Sequence, residues 1–278
     1  MAILRKSFLA ALFCLGVAVP VYAQGGGDRS AADITAAQNT LKALKQLGAE
    51  IKARQQGAPT TTGAAPVASL YQIEIDYSQT PELKDWVEKQ LRPALEAWYP
   101  RIIAEFPSEG YTPPKRFTVT LEANGNGVAA TGGTRVTANA KWIKQELAKG
   151  PQNEAVGALI HEEVHVVQQY GHVRGGQRDP GWLTEGIADY VRWWQFEPAS
   201  ARTVVRPIKR DGTPASYTDS YRTTAAFLEF VAKHHDPEIV VKLNAAGRNS
   251  TYSPDLWKRY TGKTIDELWT EFAVTLTK

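Results

Sequence analysis

Sulfur is almost absent from this chain: its 278 residues include one cysteine, Cys14, and one methionine, Met1. A single cysteine excludes an internal disulfide framework and the paired-cysteine metal sites. An excess of one charge is missing as well. Lysine and arginine total 32 against 29 acidic residues, a formal net charge of +3, and no basic cluster stands out. That balance implies no nucleic acid partner and no anionic surface. Long apolar runs are also lacking. The longest, Phe8 to Val19, falls short of the roughly 18–20 residues that a membrane span needs, so no membrane span is expected.

What is present begins with that run. Arg5 and Lys6 precede it and Val21-Tyr22-Ala23 follow it, the layout of a secretory leader over residues 1–23, cleaved near Ala23. Losing Arg5 and Lys6 takes the charge from +3 to +1, and Cys14 leaves with them. The exported chain, periplasmic or extracellular, is then expected to rely on its apolar core alone. Residues 24–69 read as a tail. Gly25-Gly26-Gly27 opens it, and a Pro/Thr/Gly/Ala stretch from Gly57 to Ala68 closes it as a linker. Between them, Asp33 to Arg54 has helical composition, with Ile34, Leu41, Leu44, Leu47 and Ile51 near one stripe. That stripe suits a solvated or loosely docked helix, and the other use open to it is self-association or docking of a partner through residues 33–54.

Residues 70–278 are expected to form one domain. Histidine is scarce there, five in all, and two of the five stand in His161-Glu162-Glu163-Val164-His165. Residues four apart share a helix face, so His161 and His165 can aim two imidazoles at one point. Glu162 lies beside them, where a general base for an attacking water belongs, and the pattern is that of a zinc peptidase helix. A catalytic zinc needs three protein ligands, commonly two His and a Glu. Glu185 follows His165 by twenty positions, the third-ligand spacing of thermolysin-like gluzincins. Asp189 comes one turn later and matches the carboxylate that orients a ligating His. The competing metzincin pattern fails. Gln168 and Gly171 occupy its Gly and third-His positions, His172 comes one residue late, and no methionine follows Met1.

The surrounding segments predict an α+β fold. Tyr71, Ile73, Ile75 and Tyr77 alternate with polar residues as a half-buried strand, and Arg116–Glu122 and Arg135–Asn139 read as two more. Thr80-Pro81 starts a helix that Pro93 should kink and that Pro100 should break or restart. An edge strand ahead of the active helix suits substrate binding by strand addition, with Gly127–Ala130 or Thr134–Asn139 as candidates. Asn153–Tyr170 is the active helix, stopped by Gly171. His172–Gly181 is a surface loop, and Leu183–Phe196 the next helix. Beyond it, His234-His235 reads as structural at a helix end. Asp236-Pro237, Ser253-Pro254 and the Thr264–Glu267 capping box start further helices.

From about Leu70 onward the chain resembles the plant basic secretory protein family, the peptidases of plants and bacteria. The matching pieces are Gly127-Val128-Ala129, Val136-Thr137-Ala138, the Gly157–His165 run, the Glu185–Arg192 run and Tyr221–Leu228 with Tyr221 and Ala225 in pattern. The resemblance implies a secreted, zincin-like domain: a small mixed sheet, an active-site helix and a helical lower subdomain. It implies Zn2+ and a peptide or protein substrate. His161, His165 and Glu185 would hold the metal, Glu162 would move the proton, and Asp189 would orient a ligand. Tyr221, the family's matching aromatic, is the expected oxyanion donor, with Tyr217 and Arg222 as alternatives. The other function class is an exported zinc-containing binding or surface protein with little turnover, although Glu162 is in place.

Overall fold

The structure, a computed structural model, describes residues 70–151, 153–170, 180–199, 209 and 212–276. The leader, the tail helix and linker, Gly171 and most of the 172–181 loop lie outside the described residues. Among the described residues the fold is α+β, a small mixed four-stranded sheet with helices.

A four-stranded sheet runs in the order β1-β2-β4-β3, from β1 (Gln72–Asp76), β2 (Arg116–Glu122), β3 (Ala129–Gly132) and β4 (Arg135–Asn139). β1 and β4 both pair parallel with β2, and β3 pairs antiparallel with β4. Alternation explains the strands: β2 buries Phe117, Val119 and Leu121 and leaves the residues between them partly open. A two-residue turn, Gly133-Thr134, joins β3 to β4, and Gly133 sits at φ 63, where a glycine needs no strain. Among the described residues β3 pairs with β4 alone, so it is the sheet edge beside the helix that carries His161. Thr134–Asn139, the second candidate for strand addition, is paired on both flanks and has no edge to offer.

Between β1 and β2 the chain crosses through one unbroken helical run. A 3-10 turn (Pro81–Leu83), a short α turn (Lys84–Trp86) and a π turn (Val87–Leu91) lead into α1 (Arg92–Glu105). Pro93 falls at the junction with the π turn. Pro100 does not break the helix, contrary to expectation: α1 continues past it for another five residues to Glu105. The lost hydrogen bond falls on the carbonyl of Glu96, an exposed residue, while Leu95, Tyr99 and Ile102 are fully buried. Burial of three large side chains, about 1.5–3 kcal/mol each, outweighs the proline penalty of about 3 kcal/mol.

β4 runs into α2 (Ala140–Leu147), whose N-cap Asn139 accepts from the amides of Lys141 and Trp142. The helix predicted to carry the site, α3 (Ala155–Gln168), is buried at every position except Val156 and His165. It ends one turn short of Gly171, because Gln169 adopts the left-handed conformation at φ 48, ψ 42 and terminates it. α4 (Gly181–Tyr190) passes into a second π turn, Val191–Phe196, in the stretch predicted as one regular helix. The lower half consists of α5 (Tyr221–His234), α6 (Ile239–Arg248), α7 (Asp255–Thr261) and α8 (Ile265–Thr275), the last with the expected capping box of Thr264 and Glu267. His235 pairs with Glu271, in keeping with a structural role for that end of α5. One apolar core runs from β1 to Phe272.

Candidate metal centre

α3 and α4 bring the centre together. His161 and His165, one turn apart on α3, place their Nε2 atoms 3.1 Å from each other. Glu185, on α4, puts Oε2 at 3.0 Å from His161 Nε2 and 3.4 Å from His165 Nε2. Among the described residues these three form a group able to hold a metal ion. Donors 2.0–2.1 Å from a tetrahedral zinc stand about 3.3 Å apart, so the spacing of this set fits that ion.

Each histidine has its second nitrogen engaged. His161 Nδ1 lies 2.7 Å from Asp189 Oδ1, and both groups are buried. A carboxylate only accepts, so Nδ1–H donates and Nε2 faces the centre. Burial would push the His161 imidazolium down, but the Asp189 and Glu185 carboxylates overcome it and raise the group to about 9. Burial likewise disfavours the Glu185 carboxylate, and its hydrogen bonds to the two histidines bring it down to about 2.

His165 Nδ1 is served by a residue that sequence reasoning used only to reject the metzincin pattern. Gln168 Oε1 lies 2.6 Å from it, and Gln168 Nε2 donates to the Thr184 carbonyl at 2.9 Å. The available signal was the three-residue helix spacing from His165. Thr131 was missed too, falling between the two candidate edge segments. Its hydroxyl, on β3, donates to Glu162 Oε2 at 2.6 Å. Glu162 itself is 8 % exposed and faces the same cleft. Glu163 takes no part in the centre. It is fully buried, its carboxyl oxygens have no hydrogen-bond partner among the described residues, and burial raises it well above the usual carboxylate range.

Tyr221 opens α5 with its ring nearly parallel to that of His161, 6.1 Å between centroids, and about half exposed in the cleft. The Glu185 carboxylate, and burial after it, raise the phenol above its ordinary value. It therefore keeps the proton that a donor needs. Of the two alternatives, Tyr217 is packed among Trp182, Phe227 and Trp269. Arg222 lies over the Trp193 ring and pairs with Glu154 at 2.8 Å. Trp193 is itself buried between Arg222 and Arg192, so that ring serves packing. The cleft, about 1030 Å³, runs from Gln168 and Gln169 past the centre to Glu154, Arg192 and Arg222.

A family model described as "Peptidase of plants and bacteria" matches residues 66–272. The chain belongs to that family. Comparison with curated proteins and with solved structures gave no match. Membership places the chain among the peptidases, hydrolases of peptide bonds, and the match takes in α3, α4, the strand that carries Thr131, and Tyr221. Among the described residues no helix of this family member is long and apolar enough to cross a membrane.

Proposed function

We propose that this peptidase is zinc-dependent and exported, and that Glu162 is its general base. The observation that carries the reading is the convergence of His161 Nε2, His165 Nε2 and Glu185 Oε2 to within 3.0–3.4 Å, with the Glu162 carboxylate beside them. A zinc ion held by these three would supply Lewis acidity toward the scissile carbonyl and acidify the attacking water. Glu162 takes the proton from that water and hands it to the leaving amine. Thr131 occupies Oε2 of Glu162, which leaves Oε1 for the proton. Tyr221 O–H donates to the oxyanion of the tetrahedral intermediate, a contact strongest when the charge develops. Asp189 and Gln168 hold the two imidazoles in the orientation that presents Nε2. The leader layout of residues 1–23 supports export, and a free β3 edge supports an extended peptide substrate.

The deciding experiment compares the chain with its Glu162→Gln variant for zinc content and for cleavage of a diverse peptide library. Zinc in both with cleavage only in the parent is the expected result, with a loss of about 10²–10⁴-fold for the missing base. Zinc in both with no cleavage in either supports the binding-protein alternative. Absence of zinc in the parent overturns the metal assignment.

A further inference from the structure

We propose that Gln168 is a positioning residue that selects the tautomer of His165 and ties together the two helices that supply the ligands, so that zinc affinity depends on it. This rests on the metal-centre reading above. Gln168 is 1 % exposed, and both ends of its amide are spoken for. The Thr184 carbonyl can only accept, so Nε2 of the amide must face it and Oε1 must face the imidazole. Reversing the amide would set oxygen against oxygen at 2.9 Å. With Oε1 as acceptor, His165 carries its proton on Nδ1, and the Nε2 lone pair points at the centre. The tautomer of a ligand on α3 is thereby dictated by a carbonyl on α4.

That carbonyl belongs to the residue immediately before Glu185. One side chain thus orients the second histidine and anchors the backbone that presents the carboxylate ligand. Its own backbone is held in turn. Buried Arg248 of α6 donates to the carbonyls of Val167 and Gln168, and Tyr111 O–H donates to Val167. Gln169 Nε2 donates to Val166. The end of α3 is fixed from outside the site, and Gln168 carries that fixity to the ligand. A neutral amide also suits the place. Glu162, Glu185 and Asp189 already bring three carboxyl groups to the cleft, and an ionised carboxylate at 168 would have no proton to give the Thr184 carbonyl.

The test measures zinc affinity of the full chain by competition with a chromogenic chelator, in the parent, Gln168→Met and Gln168→Glu. Methionine keeps the volume and removes the acceptor. Glutamate keeps an acceptor for His165 and loses the donor to Thr184. Expected is a loss of roughly 10–100-fold for Gln168→Met and a smaller loss for Gln168→Glu, which keeps the acceptor for His165 but sets an oxygen against the Thr184 carbonyl. In the zinc-loaded chain the His165 Nδ1–H resonance should persist in parent and glutamate variant and vanish in the methionine variant. A merely structural role would move unfolding temperature in both variants alike and give no such difference. If Gln168→Met does not fold, Gln168→Asn, one carbon too short for both partners, is measured instead with the same expected loss. Parent-like affinity in the methionine (or asparagine) variant, or equal loss in glutamate and methionine, overturns the proposal. A parent that takes up no zinc overturns the metal reading itself, before any variant is compared.

Discussion

On the proposed mechanism Glu162 moves a proton twice in one turnover and must stay in one rotamer, a restraint that the Thr131 hydroxyl supplies. The 2.6 Å contact from the Thr131 hydroxyl to Oε2 joins the edge strand β3 to Glu162, so the strand proposed for substrate also aims the proposed base. Thr131→Val keeps the shape and removes the proton donor. A hydrogen bond to a charged group contributes about 1.5–3 kcal/mol, so kcat should fall at least about ten-fold. Zinc content and KM should not move, because neither the ligands nor the strand edge has changed. Steady-state kinetics with zinc quantified per chain checks this, and an unchanged kcat would remove Thr131 from the mechanism. The approach of His161 to His165 could be read from the sequence, because four-residue spacing on a helix is a local property. Thr131 could not be assigned a role, because its partner lies on another element and no spacing announces a contact across the fold. For Gln168 the three-residue spacing to His165 was a usable signal, and only its contact with Thr184 was hidden.

Between elements, the tightest constraint is the approach of α4 to α5. A Cβ at Gly186 would stand 2.2 Å from the Thr224 methyl, so the helix bearing Glu185 and Asp189 packs on the helix bearing Tyr221 at a distance only glycine permits. Gly186→Ala should force the two helices apart at a cost of about 1–3 kcal/mol, seen as a lower urea midpoint. It should also lower kcat/KM, since the phenol and the metal ligands no longer share one geometry. Adding Thr224→Ser, which removes the offending methyl and keeps the hydroxyl, should recover part of both. A neutral outcome in Gly186→Ala would mean that the helices are free to slide. Element existence was largely legible: β2 and β4 follow alternation, and the Thr264–Glu267 capping box fixes the start of α8. The π turns at Val87–Leu91 and Val191–Phe196 and the continuity through Pro100 were not. In each the local propensity points one way and burial of the neighbouring core residues wins.

At the scale of the whole molecule the question is whether metal makes the fold or only completes it. Small zinc domains are unfolded without their ion because nothing else holds the ligands together. Here the proposed ligands sit on helices rooted in one apolar core that runs from β1 to α8. The two orienting contacts, Asp189 to His161 and Gln168 to His165, need no metal to form. Chelation is therefore expected to abolish cleavage, reversibly on adding zinc, while leaving the far-ultraviolet circular dichroism of the chain unchanged. The loss should appear in stability instead. At a free zinc concentration about 100 times Kd, binding contributes roughly 2.7 kcal/mol. At about 2–4 °C per kcal/mol for a domain of this size, Tm should fall by roughly 5–10 °C on chelation. Calorimetry with and without a chelator measures it. Collapse of helical signal on chelation would show that the core does not hold the donors by itself, and that the convergence of His161, His165 and Glu185 depends on the ion they bind.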